Sequence, residues 1–174
     1  MQQLGFKLLN DITWVKPNPP PNLSCRYFTH ATETIIWAAK SEKSKHYFDY
    51  KLMRQTAGGK QMKSFWPEYC RNGLGVPDTW IEKPPSNGEK AHGKHPTQKP
   101  VALLERIILA STEPKALILD PFMGSGTTGV AALKHGRRFV GIELESTYLR
   151  LAETRLAEAR EPAKGLFALS KERI

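Results

Sequence analysis

Apolar residues along this chain fall into a few short runs, each with its own period. Residues 4–16, LGFKLLNDITWVK, mix apolar and polar positions like a half-buried strand with its approach. From Lys16 to Asn22, KPNPPPN reads as a loop, because prolines lack a backbone donor and push their neighbours toward extended geometry. Glu33 to Lys40, ETIIWAAK, is a β-branched and aromatic run that predicts a buried strand. From Ser41 to Lys94 no period is sustained. Gly, Pro, Lys and aromatics are scattered there, which predicts an irregular module between two better ordered parts.

Regular patterning returns at His95. In HPTQKPVALLERIILAS, Thr97 or Gln98 is expected to cap a helix and Pro100 to occupy its first turn. Val101, Leu104, Ile107 and Ile108 would share its apolar face. ALILD, from Ala116, predicts a short buried strand, and TTGVAALKHG a helix closed by Gly136. RFVGIEL predicts a second buried strand. STYLRLAETRLAEAR predicts a helix with Tyr148, Ala152, Arg155, Leu156 and Ala159 along one side, the arginine burying its stem. Strand, helix, strand, helix predicts a right-handed parallel unit and places the chain in the α/β class.

Composition adds limits. The chain has 174 residues, enough for one domain or one domain with a small insertion. Mean hydropathy is −0.46. No apolar run approaches the roughly 20 residues that span a bilayer. The start, MQQLGFKLLND, has no basic segment followed by an apolar one, so a cytoplasmic, soluble protein is expected. Cys25 and Cys70 stand far apart and read as reduced thiols. His92 and His95 lack a second ligand pair nearby, so no metal site is expected. Net charge is +9, which suits a polyanionic partner, since lysines and arginines displace counterions condensed on phosphates.

The chemistry concentrates at DPFMGSGTTG. Gly124, Gly126 and Gly129 fit G-x-G-x-x-G, a weak signal alone. Here it follows a strand, opens a helix and is followed by Glu143 at the next strand's end, which suits a nucleotide-type ligand whose ribose an acid can hold. No Lys-Ser/Thr pair follows the loop, so the phosphate-cradling pattern fails. Asp120 at the mouth of the turn would repel a pyrophosphate and favour a cationic ligand, and Phe122 offers an apolar or cation–π face beside it. The charge argument therefore favours S-adenosylmethionine, with its sulfonium and ammonium, over a dinucleotide.

Three blocks in this order, GKHPTQKPVALLERII, DPFMGSGTTGVAAL and GRRFVGIELESTYLRLAETRL, resemble the amino-group DNA methyltransferases of the permuted type. The N-terminal NDITWVKPNPPPNLSCRYFTHATETIIWAAKSEKSKHYFDYK is similar to them too, especially to the second adenine methylase of GATC-type restriction–modification systems. The resemblance implies part of a Rossmann-like S-adenosylmethionine-dependent methyltransferase sheet carrying an irregular target-recognition insertion. Residues 1–40 would be strands of the catalytic half, 41–94 the target-recognition region and 95–174 the S-adenosylmethionine-binding region. Asp120, Phe122, Gly124 and Gly126 would line the cofactor pocket, Glu143 would hold the ribose, and Thr97 and Lys99 would meet the methionine end. DNA would be the partner; Arg54, Lys60, Lys63 and Arg71 are then candidate phosphate contacts or simply solvated charges, and Tyr47, Phe48, Phe65 and Trp66 candidate stacking surfaces or packing residues. The implied reaction is methyl transfer to the exocyclic amino group of adenine in DNA, ahead of cytosine.

One part of the family pattern is missing. Its members carry an Asp/Asn/Ser-Pro-Pro-Tyr/Phe tetrapeptide that holds the amino group of a flipped-out base. The nearest string, Asn18 to Pro21, lacks the aromatic. The tetrapeptide is expected before residue 1, so no catalytic residue is assigned and the chain alone is expected to be inactive. It would be a truncated gene product or one half of a split enzyme completed by a second chain. The alternative reading is a catalytically inactive module that binds DNA or cofactor. In the family's sheet the catalytic strand lies beside Ala116–Asp120, so its loss should leave apolar surface and an open edge there.

Overall fold

The computed structural model describes residues 1–16, 19, 21–24, 26–56, 58–59, 80–81 and 85–160. The N-terminal strand β1 (Lys7–Val15) and β2 (Thr32–Ala39) form where the apolar runs predict strands, and they pair antiparallel, with an irregular register between Leu8 and Asn10. Ile12, Trp14 and Ala39 are its buried anchors. A short helix α1 (Tyr50–Thr56) follows, and β3 (Trp80–Ile81) joins β1 in parallel at Trp14 and Val15, giving the order β2–β1–β3. Lys60, Lys63, Phe65, Trp66, Arg71, Cys25 and Cys70 lie outside the described residues, as do Asn18 and Pro20 of the proline string.

The second half is β4 (Leu117–Asp120), α3 (Thr127–Lys134), β5 (Arg138–Gly141) and α4 (Ser146–Arg160), preceded by α2 (Val101–Ser111). β4 and β5 pair in parallel, Leu117 opposite Arg138 through Asp120 opposite Gly141, around the crossover helix α3. Val101, Ile108, Val130, Ala131 and Ala132 form the core, with Leu104, Ile118, Phe139, Leu156 and Ala159 packed against it. This core stiffens the strand ends from which the glycine turn springs.

Four expectations need correcting. β2 is buried at Ala39 alone, whereas its apolar run predicts a buried strand along its length. β4 and β5 are buried on one face only. Ile118 and Phe139 face the helices, whereas Leu117, Leu119, Val140 and Ile142 are 55%, 61%, 46% and 54% exposed. An apolar run reads alike whether its outer face is covered or bare, and here nothing among the described residues covers it. The helix α2 starts at Val101 with Pro100 as its flanking extended residue, and neither Thr97 nor Gln98 caps it. Glu89 does so from a distance, its Oε2 accepting the Val101 N–H at 2.9 Å, a carboxylate at a helix N-terminus. The inward face of α2 includes Leu103 and Ala110 beside Val101 and Ile108, while Ile107 is only half-buried. No helix among the described residues is long and apolar enough to cross a membrane.

Candidate functional site

Asp120 and Gly141 end the two parallel strands side by side, and the turn Pro121–Gly126 lies between β4 and α3. Open parallel sheets bind ligands at this end of their strands. A cleft of about 170 Å³ opens there, lined by His95, Thr97, Lys99, Asp120, Phe122, Gly124, Ser125 and Thr128 among others. It thus gathers the segment before α2 and the glycine turn, which are separate in sequence. Phe122 stands at the mouth, 90% exposed.

Both strand-end acids tie down the turn. Asp120 Oδ1 accepts the Phe122 N–H at 3.1 Å, and Oδ2 accepts the Thr128 hydroxyl at 2.6 Å. Glu143 Oε2 accepts the Gly124 N–H at 2.8 Å, and Oε1 accepts the Glu145 N–H at 2.9 Å. The Glu145 N–H is the leading cause that holds the Glu143 carboxyl below its usual pKa; partial burial opposes this and the Gly124 N–H adds to it. Each carboxylate oxygen keeps a second acceptor site, so these bonds leave room for ligand hydroxyls. Glu145 is exposed at the start of α4, where its Oε1 accepts the Thr147 N–H at 3.3 Å.

The glycines divide their tasks. Gly124, at φ +51°, faces the cleft, and a Cβ there would stand 3.0 Å from His95 Nε2. His95 in turn receives the Thr97 N–H on Nδ1 at 3.2 Å and packs edge-on to Tyr148 at 4.2 Å. Gly126, at φ +73°, does not line the cleft. A Cβ there would lie 2.9 Å from Ala152 Cβ, so this glycine lets α4 close on the turn. Arg155, whose role the sequence pattern understated, buries its whole side chain. Its Nη1 donates to the Ser125 carbonyl oxygen at 2.5 Å and to the Thr127 hydroxyl at 3.1 Å. Its place on the inner face of α4 was legible; the partners were not.

Lys99 lines the cleft but is not isolated. Its Nζ donates to Glu33 Oε2 at 2.8 Å, and Lys16 Nζ donates to Glu33 Oε1 at 3.0 Å. Burial pushes the Glu33 carboxyl up, but the Lys99 and Lys16 hydrogen bonds and charges outweigh it and hold the pKa below the usual value. Of the four basic DNA-contact candidates, only Arg54 is among the described residues. It is exposed on α1, its Nε donating to the Gly59 carbonyl oxygen at 2.9 Å, and it is not among the residues that line the cleft. Phe48 packs on Trp37 at 5.4 Å, and the Tyr47 hydroxyl donates to Asp49 at 3.2 Å.

A family model described as DNA methylase, of the N6/N4 class, matches residues 1–154. The chain belongs to this family. Among N6/N4 methylase relatives, it is 55% identical over 157 residues to the type II methyltransferase M2.LlaDCHI of Lactococcus lactis subsp. cremoris, covering 90% of this chain and 53% of that protein. It is 54% identical over 162 residues to the type II methyltransferase M2.DpnII of Streptococcus pneumoniae, covering 92% and 55%. Among solved structures, the M1.HpyAVI–SAM complex matches with a TM-score of 0.66 at 39% identity, over 89% of this chain and 65% of that one. The chain spans about half the length of the curated relatives it matches.

Proposed function

We propose that this chain forms the cofactor-binding part of a site-specific DNA methyltransferase that acts on the exocyclic amino group of adenine, with S-adenosylmethionine as methyl donor. The carrying observation is Asp120 lining the cleft at the end of β4, with Glu143, just past the end of β5 and not itself among the lining residues, bonded to the turn at Gly124. Acids beside the turn disfavour a pyrophosphate and favour a ligand with a sulfonium and an ammonium. Glu143 offers its remaining acceptor sites to ribose hydroxyls, Phe122 offers an apolar face, and Lys99 offers a cation to a carboxylate. S-adenosylmethionine supplies an activated methyl group, and these residues bind and orient its carrier. The adenine reading leans on the M2 relatives at 54–55% identity. Calorimetric titration of the chain with S-adenosylmethionine and with NADH tests the reading. Uptake of the first alone is expected; uptake of NADH alone would sink it.

Methyl transfer, in this proposal, also needs the polypeptide that covers the outer face of β4 and β5. A parallel sheet is normally covered on both faces. The exposure of Leu117, Leu119, Val140 and Ile142 supports this reading, as does the greater length of the relatives; the layer would come from the same or a second polypeptide. A labelled-methyl assay on GATC-containing DNA is expected to show no transfer by these 174 residues alone and transfer once the remaining family segment is supplied. Robust transfer without it refutes the proposal. DNA binding itself should weaken steeply with salt, as for any basic protein displacing phosphate counterions.

A further inference from the structure

Trp14 and Glu33 are directly opposed across the β1–β2 ladder, and Lys16 lies two residues beyond Trp14, just past the end of β1. Into this corner the segment before α2 delivers Lys99, 66 positions away from Glu33 in sequence. One carboxylate thus holds two ammonium groups, at 3.0 and 2.8 Å. Both lysines also lie over the Trp14 ring, at 5.8 and 5.6 Å from its centre, and Trp14 is 3% exposed. Two cations on one anion leave the triad one positive charge in excess. Lys16 is mostly covered, at 20% side-chain exposure, while Lys99 is 43% exposed and lines the cleft. The excess charge is therefore presented to the cleft through Lys99, which keeps donors beyond the one given to Glu33.

We infer that Glu33 is a positioning residue for Lys99, fixing its ammonium at the cleft so that the triad's surplus charge receives the carboxylate of the cofactor's amino-acid end. This rests on the cofactor reading above. A free lysine would have to give up rotamer freedom on binding a carboxylate; one already held by Glu33 and Trp14 gives up less. The depressed Glu33 pKa agrees, since it shows the carboxylate charged and engaged. The arrangement also makes the N-terminal hairpin, which carries no part of the glycine turn, a participant in cofactor selection.

The test is calorimetric titration of the full chain with S-adenosylmethionine and with its decarboxylated analogue. The wild-type chain is expected to favour the carboxylate-bearing compound at least tenfold. Lys99→Met should abolish that preference, and Glu33→Gln should cut it threefold or more while the affinity for the decarboxylated analogue stays within twofold. Should Glu33→Gln fail to fold, the exchange Glu33→Lys with Lys99→Glu keeps an ion pair in place and should invert the preference. Equal losses for both compounds in Glu33→Gln, an increased preference, or an exchanged pair that keeps the wild-type order would overturn the inference and leave the cofactor reading standing. Uptake of neither compound by the wild-type chain overturns both.

Discussion

Arg155 on α4 holds the glycine turn by its main chain: its guanidinium donates to the Ser125 carbonyl oxygen and to the Thr127 hydroxyl, with only 6% of the residue exposed. Burial pulls the Arg155 pKa down, opposed by the charges of Glu89 and Glu158, but an arginine stays protonated at any working pH. Hydrogen bonds from a charged donor are worth about 1.5–3 kcal/mol each, and a buried acceptor left unmade adds to the loss. Arg155→Met should therefore cost about 2–4 kcal/mol in denaturant unfolding, and Arg155→Lys about half as much. A change under 0.5 kcal/mol would show that the clasp is idle.

Gly126 and Gly136 separate backbone strain from steric contact. Both adopt positive φ, +73° and +69°. A Cβ on Gly136 meets nothing within 4 Å, whereas one on Gly126 meets Ala152. Gly136→Ala should cost only the left-handed term, about 1 kcal/mol. Gly126→Ala should add an overpacking cost of about 1–3 kcal/mol and weaken cofactor uptake. Thermal unfolding of the two variants side by side checks the difference.

Glu143→Gln replaces one acceptor oxygen with a donor that would face a backbone N–H of Gly124 or Glu145. The fold should survive, because Glu143 lies at the strand end and outside the core. The turn should loosen: faster amide exchange at Gly124 and at least tenfold weaker cofactor binding are expected. Unchanged exchange at Gly124 would mean that this bond does not hold the turn.

Acid should open the site. The Glu33 and Glu143 carboxyls both titrate below their usual value in the folded chain. Their stabilising contribution is complete above the unfolded carboxylate pKa of about 4.3, and is lost as pH falls through the lower folded values. The melting temperature should be level with respect to these groups near neutrality and fall below about pH 4.5. A double variant, Glu33→Gln with Glu143→Gln, should show a shallower acid limb; an equally steep one would assign the acid sensitivity to other carboxyls.

Leu119→Glu tests the bare face. Leu119 is 61% exposed, so within this chain the substitution should change stability by no more than about 0.5 kcal/mol. It should also reduce self-association in sedimentation, because a contiguous exposed apolar face is adhesive. A large loss of stability would mean that the outer face is already packed.

Several local elements followed from pattern: β1 from mixed apolar and polar positions, β2 from a β-branched and aromatic run, α3 from spacing with Gly136 as its terminator, and α4 from spacing; α1, inside the stretch without a sustained period, did not. The family was also legible, and the glycine turn drew attention to the strand ends where the cleft opens, because a glycine turn between two acid-ended strands is a contiguous string. The chain could not reveal through local pattern what distant groups do to one another. Glu89 capping α2 from 12 positions away, Glu33 reaching Lys99 and Arg155 reaching Ser125 each join elements whose spacing carries no period. The hydrophobicity of Leu117 and Leu119 did not by itself disclose a bare face, since it records a preference for burial and not whether a partner meets it; the missing family segment is what predicted apolar surface beside this strand. Sequence thus determined which segments are ordered and what charge surrounds the turn; tertiary structure decided which charges pair, because pairing depends on distances that only packing sets.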